Sequence, residues 1–191
     1  MNNRRQILNE AIQNIWTNKI KEDYILGKIN SERALQASFY YHLRNFLDVN
    51  NLEGDIGLFV ESKFDVKEDS PKDLKGYVPD LVLTEGLNII IIIEIKYKPH
   101  DYPHFREDLE KLETYHHSRN KSQIYLSIDP NNGRWDGKKI YTIAEDAHYY
   151  FAAVARSDSE AFDENLIGGY KKDLKIHVLA GKICETNFSI L

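Results

Sequence analysis

The sequence predicts one α/β domain, a central mixed sheet flanked by helices with an extra helix at the N-terminus. Three observations carry that prediction. Apolar residues recur at helical spacing from Arg4 to Leu47. Two apolar strand segments then meet at Glu85-Gly86, and the second is nearly all isoleucine. A further helical pattern and a further strand follow, and the order helix, three strands, helix, strand argues for one sheet with helices packed against it. A length of 191 residues suits a single domain, 1–191, large enough to bury a proper core.

In the first helix, Arg4 to Ile25, the stripe is Ile7, Leu8, Ala11, Ile12, Ile15 and Trp16, and Gly27 ends it. Asn30 or Ser31 caps a second helix that runs to about Leu47. Gly54 and Gly57 bracket a turn before a strand from Leu58 to Val66, and Asp69 to Gly76, with Pro71, is a polar loop. The hairpin arms are Tyr77 to Thr84 and Asn88 to Tyr97; the isoleucine block suits a central strand covered on both faces. Pro99 and Pro103 punctuate the exit, and a helix from about His104 to His117 turns Phe105, Leu109 and Leu112 inward. Gln123 to Ile128 is the next strand. Beyond it, Asp129 to Lys138 is turn-rich, Thr142 to Arg156 reads as a helix and Leu174 to Ala180 as a late strand. No repeat, low-complexity tract or linker interrupts the chain.

Composition narrows the function classes. With 42% hydrophobic and 12% aromatic residues the chain is not disordered. A net charge of −5 argues against a protein that coats nucleic acid by bulk charge, although a local field can still be basic. The 12 tyrosines suit strands and core, and equally interfaces and base stacking. The single cysteine, Cys184, rules out an intramolecular disulfide and a cysteine-built zinc site, and reads as a small core residue. The polar, basic N-terminus has no signal-peptide core, and the longest apolar run, Ile89 to Ile93, is too short for a membrane span. A cytoplasmic protein with no membrane partner is expected. No P-loop, dinucleotide fingerprint or nucleophile elbow is present, and Gly168-Gly169 and Asn132-Gly133 read as turns.

The chemistry gathers on the hairpin. Side chains alternate along a strand, so Ile90, Ile92, Glu94 and Lys96 share one face, and Ile91, Ile93, Ile95 and Tyr97 the other. An acid and a lysine therefore end a strand whose other residues demand burial. The strand reaching solvent at Glu94 is the ordinary reading. The other is that the charges are kept for work, since burying an unpaired charge is costly. The preceding arm, Val78-Pro79-Asp80-Leu81-Val82-Leu83, sets an acid early in an apolar strand, although Asp is a poor strand former. Pairing across the hairpin brings the Asp80 region near Glu94. Two carboxylates converging with a lysine suit a magnesium site for phosphodiester cleavage: oxygen ligands for a hard cation, and an ammonium to orient water or stabilise developing charge.

Pro79-Asp80, 13 residues, then Glu94-Ile95-Lys96 resembles the signature of the PD-(D/E)xK nuclease superfamily. The order of elements from about Ser31 to Ile128 resembles that superfamily's αβββαβ core, so the resemblance implies a restriction-endonuclease-like fold. Members often add an acid from the helix before the sheet, and Glu32 is the candidate. At about 100° per residue, Leu35, Phe39, Leu43 and Phe46 form one stripe, with Glu32 near its middle and Gln36 beside it one turn on. A first-turn Glu also suits the helix dipole while sitting in water. Members carry a polar residue on the helix after the Glu-x-Lys strand as well. The segment Asp108 to Leu112 resembles it and places Lys111 for a phosphate contact; the ordinary reading of Lys111 is a solvated face paired with Glu107. Lys98 and Arg106 extend a basic patch suited to a phosphate backbone. His100, His104, His116 and His117 lack the spacing of a zinc site and read as a polar rim or phosphate contacts.

The resemblance thus implies a magnesium- or manganese-dependent nuclease, a hydrolase of nucleic acid with DNA as the first expectation. Asp80 and Glu94 would bind the cation and the Ile95 carbonyl would complete its coordination. Glu32, supported by Gln36, would serve a second metal or an outer-sphere water. Lys96 would position and help activate the water for in-line attack, leaving a 5′-phosphate. Lys98, Arg106 and Lys111 would meet the nucleic acid. A homodimer fits the need to cut two strands, and a complex with a partner protein is the other arrangement. Lineages of this fold that only bind nucleic acid or assemble with proteins usually lose an acid or the lysine, whereas Asp80, Glu94 and Lys96 all stand here.

Overall fold

The computed structural model describes residues 3–52, 54–68, 70–71, 73–99, 105–129, 134–135, 139–156, 176–182 and 187–191. His100, Pro103, His104, Asn132-Gly133, Gly168-Gly169, Leu174 and Cys184 lie outside the described residues.

The chain opens as one helical rod: α1 (Asn3–Asn14), a π-helical stretch (Ile15–Ile20) and α2 (Lys21–Ile25). The expected single helix is present but widened where Trp16 is fully buried, its indole N–H donating to the Ala180 carbonyl at 3.3 Å. Gly27, at φ +70, ends the rod in the left-handed region that glycine adopts freely. Of the two expected caps, Ser31 is the one used. Its hydroxyl accepts the Ala34 N–H at 3.2 Å and starts α3 (Glu32–Val49), which buries Leu35, Gln36, Phe39, Leu43 and Leu47.

The strand expected from Leu58 to Val66 is two strands. β1 (Ile56–Val60) and β2 (Phe64–Val66) are separated by Glu61-Ser62-Lys63, a break that opens at Glu61, a non-glycine residue at φ +45. β1 pairs antiparallel with β3 (Leu81–Glu85), and β3 pairs antiparallel with β4 (Asn88–Lys98). Gly86 at φ +59 and Leu87 make the expected tight hairpin. Tyr77 to Asp80 lies outside the ladder, where Pro79 has no N–H to give it. The next helix, α4, spans Arg106–His117.

Two expectations fail after α4. The strand of Gln123 to Ile128 exists as β5 (Ile124–Asp129), but it leaves the main sheet and joins β2 and β6 (Arg134–Trp135) in a second sheet, order β2-β5-β6. The expected helix from Thr142 to Arg156 is the strand β7 (Thr142–Ala155), parallel to β4. Its run from Tyr149 to Ala155 is buried throughout, so no period-2 alternation marks it, and the alanines that follow its aromatic residues mimic a buried helix. β8 (Ile176–Lys182) lies parallel beside β7, and β9 (Asn187–Ile190) closes the edge, giving the main order β1-β3-β4-β7-β8-β9.

The fold is therefore α/β with a mixed six-stranded sheet. Ile89 to Ile93 are all buried, as a central strand requires. Register assigns the two faces. Glu94 and Lys96 of β4 align with Phe151 and Ala153 of β7, and Phe151 meets Phe105 at the start of α4 with ring centroids 5.2 Å apart. On the opposite face, Tyr150 aligns with Ile93 and donates its hydroxyl to Asn9 of α1 at 2.8 Å. Helix α3 packs on β4 and β1. Among the described residues, no helix is long and apolar enough to cross a membrane.

Candidate active site

The hairpin register settles what strand alternation left open. Leu81 is opposite Ile93, so one further step sets Asp80 opposite Glu94. The Ile95 N–H donates to Asp80 Oδ2 at 2.6 Å, a short bond because the acceptor is charged. Helix α3 reaches the same place: the Gln36 amide lies 3.3 Å from the Asp80 carbonyl and 3.4 Å from Oδ1. One turn earlier, Glu32 Oε2 accepts the Tyr97 N–H at 3.3 Å. The Asp80 carbonyl is held by the Glu61 N–H at 3.0 Å. The structure thus brings together Asp80, Glu94, Ile95, Lys96, Glu32 and Gln36. The stripe argument for Glu32 and Gln36 holds because α3 presents that face to the end of β4.

Helix α4 supplies the rest. Tyr115 donates its hydroxyl to Glu94 Oε1 at 3.1 Å. Asp108 is 4% exposed and divides its oxygens between two lysines, Oδ2 to Lys96 Nζ and Oδ1 to Lys111 Nζ, each at 3.0 Å. The solvated-face reading of Lys111 is corrected: the ammonium is half-buried and pairs with Asp108, not Glu107. Asp108 and Tyr115 were not singled out by the sequence reading. Their signal was present, since Asp108, Leu112 and Tyr115 recur at i, i+4 and i+7, an inward stripe like the one that marked Glu32. Lys98 and Arg106 are exposed, on the rim at the end of β4 and the start of α4. His116 and His117 sit at the far end of α4, where the His117 ring meets the Glu113 carbonyl at 3.0 Å.

Electrostatically the site is under tension. Burial raises the Asp80 pKa to about 6; the Ile95 N–H opposes this, Glu32 and Asp108 add to it, and Lys96 relieves it. Burial, then repulsion from Asp80, pushes Glu94 well above its ordinary value, against relief from Lys111 and Tyr115. Burial alone would lower Lys96, but the Asp108 carboxylate outweighs it and holds the ammonium above its usual range. Lys96 is therefore a proton-bearing donor at neutral pH and not a base.

No group of three or more His, Cys, Asp or Glu is arranged to hold a metal among the described residues. The donor chemistry of the carboxylate pair still fits a hard divalent cation. Both acids resist ionisation because burial opposes their charge and repulsion adds to it, from Glu32 and Asp108 on Asp80 and from Asp80 on Glu94, and a cation would neutralise that charge. Each also keeps acceptor capacity beyond its one strong hydrogen bond. Two carboxylates would need further oxygens, from the backbone and water.

No protein-family model, curated protein or solved structure matches the chain. The functional reading therefore stands on the site itself.

Proposed function

We propose that this chain is a metal-dependent nuclease of restriction-endonuclease-like fold, a hydrolase of phosphodiester bonds whose first candidate substrate is DNA. One observation carries the reading: a half-buried carboxylate, Asp80, and a fully buried one, Glu94, opposed across a hairpin with Lys96 two residues further along the same strand face. A fold kept only for assembly has no reason to retain two acids whose ionisation burial opposes.

Asp80 and Glu94 would hold magnesium or manganese, with the Ile95 carbonyl and Glu32 as the remaining candidate oxygens. The cation supplies charge neutralisation for the phosphate and acidifies water. Lys96, charged and held by Asp108, donates hydrogen bonds toward the attacked phosphate or its water. Glu32 and Gln36 anchor the backbone and carboxylate geometry through Tyr97 and Asp80. Lys111 faces the phosphate beside Lys96, while Lys98 and Arg106 attract the backbone from the rim.

The test is cleavage of labelled single-stranded, double-stranded and branched DNA and RNA in magnesium, manganese or EDTA, with Lys96→Ala beside wild type. The expected result is cation-dependent cutting that falls at least about 100-fold in the variant. An absence of cutting on every substrate, at high protein concentration and with either cation, would reject the enzyme and favour a binding or assembly subunit.

A further inference from the structure

The proposed chemistry gives Asp108 no contact with the cation or the substrate, although it is 4% exposed and both of its oxygens are committed to ammonium groups at 3.0 Å. Its place follows from the helix. It lies in the first turn of α4, where a negative charge is favoured, and three residues before Lys111, so those two side chains meet on one face. Lys96 arrives from β4. One carboxylate therefore gathers two long, flexible side chains, from a strand and a helix, at the position where Lys96 acts on Asp80 and Lys111 acts on Glu94. A lysine left to itself loses rotamer freedom each time it closes on a ligand, whereas one oriented beforehand does not. Charges aimed in advance at a transition state are the kind that accelerate it.

We propose that Asp108 is a positioning residue that holds Lys96 and Lys111 as a two-point clamp for the non-bridging oxygens of the scissile phosphodiester. This rests on the nuclease reading above. A carboxylate that merely fastened α4 to β4 would form the same ion pairs, but the two roles separate in kinetics. If Asp108 acts through the two lysines, its removal costs less once Lys96 is gone, because only the Lys111 arm is left to lose.

The experiment compares wild type, Asp108→Asn, Lys96→Ala and the double variant of the full chain in two measurements. The first is steady-state cleavage. The expected result is a kcat lowered about 30-fold or more by Asp108→Asn with KM within about threefold, and a double variant slower than Lys96→Ala by no more than the about tenfold that the Lys111 arm carries. A near-normal kcat in Asp108→Asn, or penalties that multiply in the double variant, overturns the proposal whatever happens to the melting temperature. Should Asp108→Asn not fold, Lys111→Met tests the other arm: a kcat loss of about tenfold is expected, and no loss rejects the clamp. The second measurement needs no activity: reductive methylation of Lys96 and Lys111, mapped by mass spectrometry. Both amines should react faster in Asp108→Asn than in wild type, and unchanged protection would overturn the pairing. If wild type cuts nothing while the amines become reactive as expected, the nuclease reading fails and the clamp falls with it, leaving Asp108 as the fastener of α4 to β4; if wild type cuts and Asp108→Asn cuts as well, only the clamp fails.

Discussion

Helix α3 touches an aspartate at each of two places, and the two are in opposite states. Asp23, on α2, accepts the Ser38 hydroxyl at 2.7 Å, the His42 ring at 2.8 Å and the Lys28 ammonium at 2.8 Å. Burial pushes it up, but those three donors, led by Lys28, outweigh burial and bring its pKa down to about 2. Asp80, met by Gln36 of the same helix, is raised to about 6 because burial and neighbouring acids outweigh one backbone N–H and Lys96. The chain is able to satisfy an aspartate, and at Asp23 it does so to fasten α2 to α3. At Asp80 it surrounds the carboxylate with further acids. Groups left under electrostatic tension in an otherwise well-paired interior are where function is found.

The comparison breaks most visibly at Asp80→Asn. The amide keeps an oxygen for the Ile95 N–H but removes the charge. Cleavage should fall at least about 1,000-fold, on the order of 4 kcal/mol of barrier. Stability should move the other way. The folded pKa of about 6 lies above an unfolded value near 3.9, so the native state holds the extra proton between them. The Asp80 contribution to wild-type stability in EDTA should therefore decline as pH rises from about 4 to about 6 and then level. Asp80→Asn escapes that decline and should be the more stable protein at pH 7, by on the order of 3 kcal/mol at most. Urea unfolding in EDTA at pH 4 and pH 7 measures it. Equal midpoint shifts at the two pH values would mean that Asp80 carries no such tension. Magnesium should restore wild-type stability at pH 7 and leave the variant unmoved.

Asp80 was legible in the sequence because the hairpin announces itself: an isoleucine run, a glycine in the turn, and an acid where a strand former belongs. Glu32 and Gln36 were legible because a helical stripe has a fixed period. Asp108 carries the same kind of signal, but a charged residue on a charged helix suggests solvent until its lysine partners are known. Those partners include Lys96, which only the tertiary fold delivers. β7 is disguised in the sequence for a different reason. Full burial of Tyr149 to Ala155 on both faces removes the alternation that betrays a strand, and alanine carries a helical bias that packing between β4 and β8 overrides. The break between β1 and β2 falls on Glu61, neither a glycine nor a proline, so nothing in the local sequence marked it.

Asp23→Ala is the control from the satisfied side. Removing the acceptor of three donors should cost about 2 kcal/mol at pH 7. The sign with pH is opposite to that at Asp80. A folded pKa of about 2 lies below the unfolded value near 3.9, so this stability is fully present above about pH 4 and is lost as pH falls through 2. The gap between wild type and variant should narrow accordingly in denaturation midpoints measured from pH 7 down to pH 2. Cleavage per folded molecule should not change. A loss of cleavage that tracks Asp23→Ala at full folding would show that the α2–α3 fastening reaches the site through α3.

The smallest effect joins the two regimes at Glu61. This exposed residue holds the left-handed conformation at φ +45 and donates its N–H to the Asp80 carbonyl. A non-glycine residue there carries about 1 kcal/mol or more of backbone strain, while glycine gives back part of that gain through unfolded-state entropy. Glu61→Gly should therefore raise stability by about 0.5 kcal/mol, read as a shift of the urea midpoint at constant slope. The same freedom loosens the peptide that anchors Asp80, so cleavage should fall a few-fold as stability rises. A variant more stable and equally active would show that the twist at Glu61 only routes the chain from one sheet to the other. A variant more stable and slower would make that twist part of how the carboxylate is aimed.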